Sequence, residues 1–503
     1  RAKWQKAEQR GRNNFEKQGR RGGIRRGANS EAGAMEYTLK QSNDYLITHA
    51  GRINMQYRPR YHFAPPVGWM NDPNGVCYFR GAMHVFYQYY PYDTCWGPMH
   101  WGHAYTQDNC VFHHCKVALA PDCADESGCF SGGAIVKDDG GELVLMYTKH
   151  YETAETTRET QGMACSSDGV HFSKREAPVI GTADLPEGVC KQDFRDPNPV
   201  LIGGEYFIFV GSKSEAGEGL ILVYSSRDGK NFRYRNKICS PYFGEMGECP
   251  DFFTLDGKDV LLVSAVRVKE EENRFKGCNS SLYLLGKFDP ETCEFRVEHS
   301  DEIDCGHDFY APQTCSDGEG RRIMVAWMEM WGKEYFLHKF RHGYNGALTY
   351  PRALSVRNGL LYQAPAPGVE KYRRRTDFSQ ETSKCLDFTV HLAEGGCVGI
   401  SRADCAEDRI CFGLRGGRVY VDASRMKNAP QGVRVSKYAY GREVRVRVLM
   451  DVSSLEIFAD DGKETFSERH YFDSEKVRVT AENARCEECY ELDVPQEDFT
   501  ILG

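Results

Sequence analysis

The sequence predicts an all-β protein, a five-bladed β-propeller followed by a C-terminal β-sandwich. Three observations carry that expectation. Aromatic residues make up 12% of the chain and glycine is plentiful, which favours many short strands joined by tight turns. Five times between residues 61 and 350 a turn glycine leads into a strongly apolar run. These are Gly81 into Val85-Phe86-Tyr87, Gly141 into Leu143-Val144-Leu145, Gly204 into Tyr206-Phe207-Ile208, Gly257 into Val260-Leu261-Leu262 and Gly320 into Ile323-Met324-Val325. Subtracting successive positions spaces the glycines 60, 63, 53 and 63 residues apart, a period that fits propeller blades with hairpins inside each unit. Ser166-Ser167-Asp168-Gly169 also recurs as Ser225-Ser226-Arg227-Asp228-Gly229, in the same rhythm.

At 503 residues the chain exceeds what one core usually supports, so two domains are expected. Residues 1–40 form a basic leader; Arg1 to Ala34 hold ten Lys/Arg against three Glu. Such a composition cannot bury a core, and reads as disordered or non-native sequence ahead of Met35; the functional alternative is a polybasic arm or transit segment. A short helix is expected between residues 36 and 60. Residues 41–355 hold the propeller. Residues 356–375, with Pro365, Pro367 and the basic run Lys371 to Arg375, read as a linker. From 376 to 503 apolar and polar residues alternate, most clearly in Val444-Arg445-Val446-Arg447-Val448 and Leu455-Glu456-Ile457-Phe458, and spell the sandwich. Its mixed charges read as solvated strand faces.

The formal charge of -8 argues against nucleic acid or an anionic membrane surface as partner. No run of about 18 apolar residues exists to span a bilayer. The start of the chain lacks an apolar signal core, so a cytoplasmic location is expected, with most of the 20 cysteines reduced and buried. Cys486-Glu487-Glu488-Cys489 is the one CxxC pair and has no further ligands at matching spacing, so neither metal nor cofactor is expected.

Three segments put an acid beside a proline at the edge of an apolar run: Trp69-Met70-Asn71-Asp72-Pro73-Asn74-Gly75, Phe194-Arg195-Asp196-Pro197 and Glu248-Cys249-Pro250-Asp251. Taken alone, the first also reads as an Asx turn closing a hairpin. Their phase in the repeat argues otherwise. Asp72, Ser131, Asp196, Glu248 and Asp308 precede their turn glycines by 9, 10, 8, 9 and 12 residues, which places them alike on the innermost strand of successive blades and aims them at one funnel. Converging carboxylates with aromatics and no metal cluster suit sugar chemistry: glycoside hydrolysis needs one ionised and one protonated carboxyl across the scissile bond. Proximity in an enclosed site keeps one of the pair protonated. Asp72 and Glu248 are the best candidates, and Trp69, Trp96, Trp101 and Trp327 lie near the motifs.

These motifs, together with Phe86-Tyr87-Gln88-Tyr89, Trp96-Gly97-Pro98-Met99-His100-Trp101-Gly102-His103, Cys129-Phe130-Ser131-Gly132 and Asp308-Phe309-Tyr310-Ala311-Pro312-Gln313, resemble glycoside hydrolase family 32, the β-fructofuranosidases or invertases and sucrose-6-phosphate hydrolases. The resemblance runs from about Tyr61 to Phe472. It implies Asp72 as nucleophile, Glu248 as general acid and then base, and Asp196 as the acid that holds fructose hydroxyls. It implies a fructose pocket of Asn71, Gln88, Trp96, Phe130, Ser131 and Arg195, with Trp69 in the same motif and Trp327 at the mouth. The substrate would be sucrose or sucrose 6-phosphate, cleaved with retention through a covalent fructosyl-enzyme. A fructosyltransferase or a fructo-oligosaccharide exo-hydrolase is the near alternative, and a non-catalytic carbohydrate-binding propeller the distant one. Gly133, Asn198-Pro199 and Ala326 depart from the usual family pattern.

Overall fold

The computed structural model describes residues 37–137 and 140–503. The basic stretch Arg1 to Ala34 lies outside the described residues. The expected helix runs Leu39–His49, started by a Thr38/Gln41 capping box.

Among the described residues, 68 to 365 fold as five antiparallel meanders of four strands. Their first strands are Gly68–Phe79, Gly128–Val136, Val189–Ile202, Met246–Leu255 and Tyr310–Ser316. The third and fourth meanders join through the Ser212–Gly247 pairing into one eight-stranded sheet. The first strands lie side by side in chain order, and the fifth returns to pack against the first. Four of the expected turn glycines, Gly81, Gly204, Gly257 and Gly320, take the left-handed conformation that their hairpins need; in the second unit Gly140 does so rather than Gly141.

The apolar runs follow from burial on both faces. In Glu205–Ser214, Phe207 and Phe209 enter a core shared with the fourth meander, beside Phe252, Leu261 and Leu284. Ile208 and Val210 point the other way, into a core shared with the second, beside Val144 and Met146. A strand covered on both sides cannot alternate apolar with polar, so its sequence reads as a continuous apolar run.

From Arg373 the chain forms ten further strands, paired as one curled antiparallel array. Phe388, Val390, Val446, Val448 and Ile457 point into its own core. The segment 356–375 is not a linker. Arg352–Arg357 and Leu360–Pro365 pair as the outer strands of the fifth meander, and Arg373–Arg375 pairs with Lys476–Leu492 of the second domain. Prolines and charges suggested coil, but Pro365 closes an edge strand, where a missing N–H costs little. Cys486 is exposed and Cys489 buried, both on the strand Lys476–Leu492. Among the described residues no helix is long and apolar enough to cross a membrane.

The two domains share an apolar cluster, with Leu449, Phe458 and Leu492 against Tyr61, Phe63 and Tyr350, and buried charge crosses the same boundary where solvated strand faces were expected. Arg352, fully buried, donates from Nε to Glu456 Oε2 at 2.7 Å, pairs with the same carboxylate through Nη2, and reaches Asp304 at 3.0 Å through Nη1. Glu456 also accepts from the Tyr350 N–H and from His62 Nε2. Removing one partner of such a pair leaves the others desolvated and uncompensated. Arg352→Met is therefore expected to destabilise the protein by about 3–5 kcal/mol in denaturant titration; a loss under about 1 kcal/mol would contradict a structural role for this cluster.

Candidate active site

Each first strand breaks its ladder at the motif it carries. On Gly68–Phe79, Met70 faces Tyr89 and Pro73 faces Tyr87, three steps against two, which leaves one extra residue at Asn71-Asp72. The same bulge recurs between Phe130 and Gly132, Arg195 and Asn198, Glu248 and Asp251, and Tyr310 and Gln313. Such insertions bend the strand and re-aim its side chains. Proline sits at four of these breaks, as Pro73, Pro197, Pro250 and Pro312, where the ladder asks for no N–H. The residues before three of them, Asp196, Cys249 and Ala311, have φ of 66°, 44° and 50°, a strained region for residues with a Cβ.

The bulges bring three carboxylates to one place. The Cys249 N–H donates to Asp196 Oδ2 at 2.9 Å, and the Cys249 thiol lies 3.5 Å from that oxygen and 3.8 Å from Asp72 Oδ2. Asp72 Oδ2 accepts from the Ser131 hydroxyl at 3.1 Å, while its Oδ1 is buried without a protein partner. Glu248, the neighbour of Cys249, is held from two sides: Arg195 Nη2 donates to Oε1 at 2.7 Å, and the Tyr310 hydroxyl donates to Oε2 at 2.7 Å.

Burial dominates the titration of the two aspartates. It pushes Asp72 up to about 6, opposed by hydrogen bonds from Asn71 and Ser131 and aided by the charge of Glu248. It pushes Asp196 up to about 7, with Arg195 opposing and Glu248 and Asp72 adding to the rise. Burial and mutual repulsion thus keep both aspartates well above the usual carboxylate range.

Around the acids, Trp69 is buried and donates from Nε1 to Asn71 Oδ1 at 2.8 Å, fixing that amide beside Asp72. Gln88 is buried and donates to the Cys129 carbonyl at 3.0 Å. Phe130 stacks on His150 at 4.0 Å, and Trp96, 49% exposed, meets the Phe130 ring edge-on. Two expectations fail. Trp327 does not line a mouth: it is fully buried in an aromatic packet with Trp69, Trp331 and Tyr335, because its strand lies behind the inner one. Asp308 does not face the acids. It precedes the fifth inner strand and turns to the other domain, ion-paired with Lys333 and accepting from Gln431 and the Arg469 N–H.

The residue that replaces it is Tyr310, which stands two before Pro312 as Glu248 stands two before Pro250. Aligning the repeats on proline rather than on the turn glycine would have found it. Sequence reasoning also passed over Cys249, Thr148, whose hydroxyl accepts from the Asp196 N–H at 2.8 Å, and the buried Glu159 behind Arg195. Two departures from the family pattern explain each other. A Cβ at Gly133 would come within 2.9 Å of Pro199 Cδ, so proline at 199 goes with glycine at 133.

An all-β scaffold with three converging carboxylates and adjacent aromatics is the arrangement of a carbohydrate-cleaving enzyme. The profile for the glycosyl hydrolases family 32 N-terminal domain matches residues 62–365, and that for the family 32 C-terminal domain matches 367–494. The chain belongs to glycoside hydrolase family 32 and is a glycoside hydrolase. It is 35% identical to a sucrose-6-phosphate hydrolase of Escherichia coli over 444 residues, covering 84% of this chain and 91% of that protein. It is 34% identical to a raffinose invertase of Escherichia coli, covering 87% and 94%. Among solved structures it resembles the family 32 β-fructofuranosidase BmSUC1 of Bombyx mori, with TM-score 0.79 and 32% identity over 90% of this chain and 98% of that one. A mutant of that silkworm enzyme, 31% identical with TM-score 0.79 over the same shares of both chains, is in complex with sucrose.

The Ser131 hydroxyl favours the ionised form of Asp72, so its loss shifts that carboxyl further upward. The acid-side fall in kcat/KM, expected as pH drops through about 6, should therefore move to higher pH in Ser131→Ala. A pH–rate profile checks this; a limb that stays put or moves down would contradict it.

Proposed function

We propose that the protein is a retaining β-fructofuranosidase that cleaves the fructosyl bond of sucrose or sucrose 6-phosphate. Relatives named for those substrates support the reading. On this reading the five meanders are the blades of a propeller around one axis, the C-terminal strands form a β-sandwich, and the acids sit where the inner strands converge. All 20 cysteines are unpaired, which fits a reducing, cytoplasmic setting.

The observation that carries the proposal is the junction at Cys249, which joins Asp72 and Asp196 beside Glu248. Asp72, ionised above about pH 6, attacks the anomeric carbon. Hydrogen bonds from Asn71 and Ser131 hold its carboxylate in place. Glu248, steered by Arg195 and Tyr310, gives its proton to the leaving oxygen and then takes one from water that hydrolyses the fructosyl ester. Asp196, pinned by Cys249 and Thr148, holds fructose hydroxyls whose bonds strengthen in the transition state. Asn71, Gln88, Ser131 and Arg195 hold the sugar's polar edge, and Phe130 and Trp96 offer it apolar faces. Trp69 and Trp327 support the pocket from beneath.

Glu248→Gln should lose at least about a hundredfold in kcat/KM on sucrose while losing much less on an aryl fructoside, whose leaving group needs no proton. Equal losses on the two substrates would reject Glu248 as the proton donor.

A further inference from the structure

Arg195 is one cation among several acids. Besides Glu248, its Nη1 donates to Asp193 Oδ1 at 3.0 Å and to Glu159 Oε2 at 3.3 Å, and it feels the charge of Asp196. Its two outer partners differ. Asp193 is partly exposed and is itself paired with Lys213 at 2.7 Å, so water and a second cation weaken its field. Glu159 is 2% exposed, on the strand Thr157–Ser166 of the second meander. Its Oε2 also accepts from the Phe194 N–H at 2.8 Å, and its Oε1 lies 3.2 Å from His150 Nδ1. Burial pushes its carboxyl upward, yet Arg195, His150 and the Phe194 N–H together hold it below its usual range, so it is charged. An anion in so dry a place is screened less than one at the surface.

A proton donor next to Arg195 faces a conflict. Arg195 orients the Glu248 carboxyl at 2.7 Å; as a general rule a cation beside an acid favours that acid's ionised form, which cannot assist a leaving group. We propose that Glu159 is a positioning residue that resolves this conflict: it shares the Arg195 charge, so that the guanidinium fixes the Glu248 carboxyl in place without stripping its proton. Glu159 also ties the acid to the sugar-facing aromatic through His150, whose ring is stacked on Phe130 at an interplanar angle of 7°. The inference rests on Glu248 being the proton donor. The other groups facing that carboxyl are the Tyr310 hydroxyl, Asp72, Asp196 and the Cys249 thiol, and none of them contacts Glu159 directly.

The test is kcat/KM against pH for the full chain and for Glu159→Gln, on sucrose and on an aryl fructoside. Without the Glu159 charge, Arg195 draws the proton from Glu248 more strongly, so the alkaline limb on sucrose should move to lower pH. A displacement of about one pH unit would cost about tenfold on that limb, with a loss under about threefold for the aryl fructoside. Glu159→Asp, which keeps the charge, should hold the limb near its wild-type position even where the rate falls. Asp193→Asn, at a partly exposed position, should shift the limb the same way by less, and tests whether charge shared through Arg195 reaches Glu248 if Glu159→Gln does not fold. A limb unmoved in these charge-removing variants, or equal losses on both substrates at every pH, would overturn the inference and leave Glu159 a packing residue. A wild-type protein that cleaves neither fructoside would sink the proposed function and this inference together.

Discussion

The one-residue bulge on each inner strand is the constraint on which the site depends. A regular strand alternates its side chains, and residues such as Asp72, Asp196 and Glu248 would then point into the cores between meanders or leave their ladders unbroken. One extra residue in each turns them instead toward a common point, with proline absorbing the missing ladder bond. The strain at Asp196, Cys249 and Ala311 persists because the flanking strands are locked on both faces by cores such as that of Phe207, Phe209 and Phe252. Rigid packing on either side lets unfavourable backbone geometry be held where the acids need it.

Electrostatics then follows from dryness and from the count of charges. Asp72 and Asp196 rise toward neutrality mainly because they are buried, and each rises further because other acids stand close by. Arg195 is the cation that touches the group, and it serves Glu248, Asp193 and Glu159 at once. The shared cation orients all three carboxylates at once, and it helps hold Asp193 and Glu159 below the usual carboxylate range. Arg352 plays a different part. It pairs with Asp304 of its own domain and with Glu456 of the other.

Much of this was legible in the sequence, and the failures share a cause. The repeat of turn glycines and apolar runs revealed the meanders because each strand is covered on both faces and must be apolar throughout. Asp72, Asp196 and Glu248 could be picked out because each stands one or two residues before a proline in phase with that repeat. Counting from the glycine, however, misplaced the fifth unit, where the phase runs through Pro312 to Tyr310 and not to Asp308. The family resemblance implies Trp327 at the mouth, whereas its place on the second strand of its meander leaves it fully buried. Glu456 looked like part of a solvated face because one sequence cannot show that another domain covers it. Glu159 carried no motif, and only the fold brings it to Arg195.

Asp72 and Glu248, 176 positions apart (248 minus 72), are proposed to work on the same glycosidic bond, one on its anomeric carbon and the other on its leaving oxygen. The most direct test is to slow turnover with a mechanism-based fructosyl donor, digest the protein and locate the sugar by mass spectrometry. The account predicts a fructosyl ester on the peptide carrying Asp72, absent when Asp72 is replaced by alanine. An adduct on any other residue, or turnover with inversion at the anomeric carbon, would contradict it.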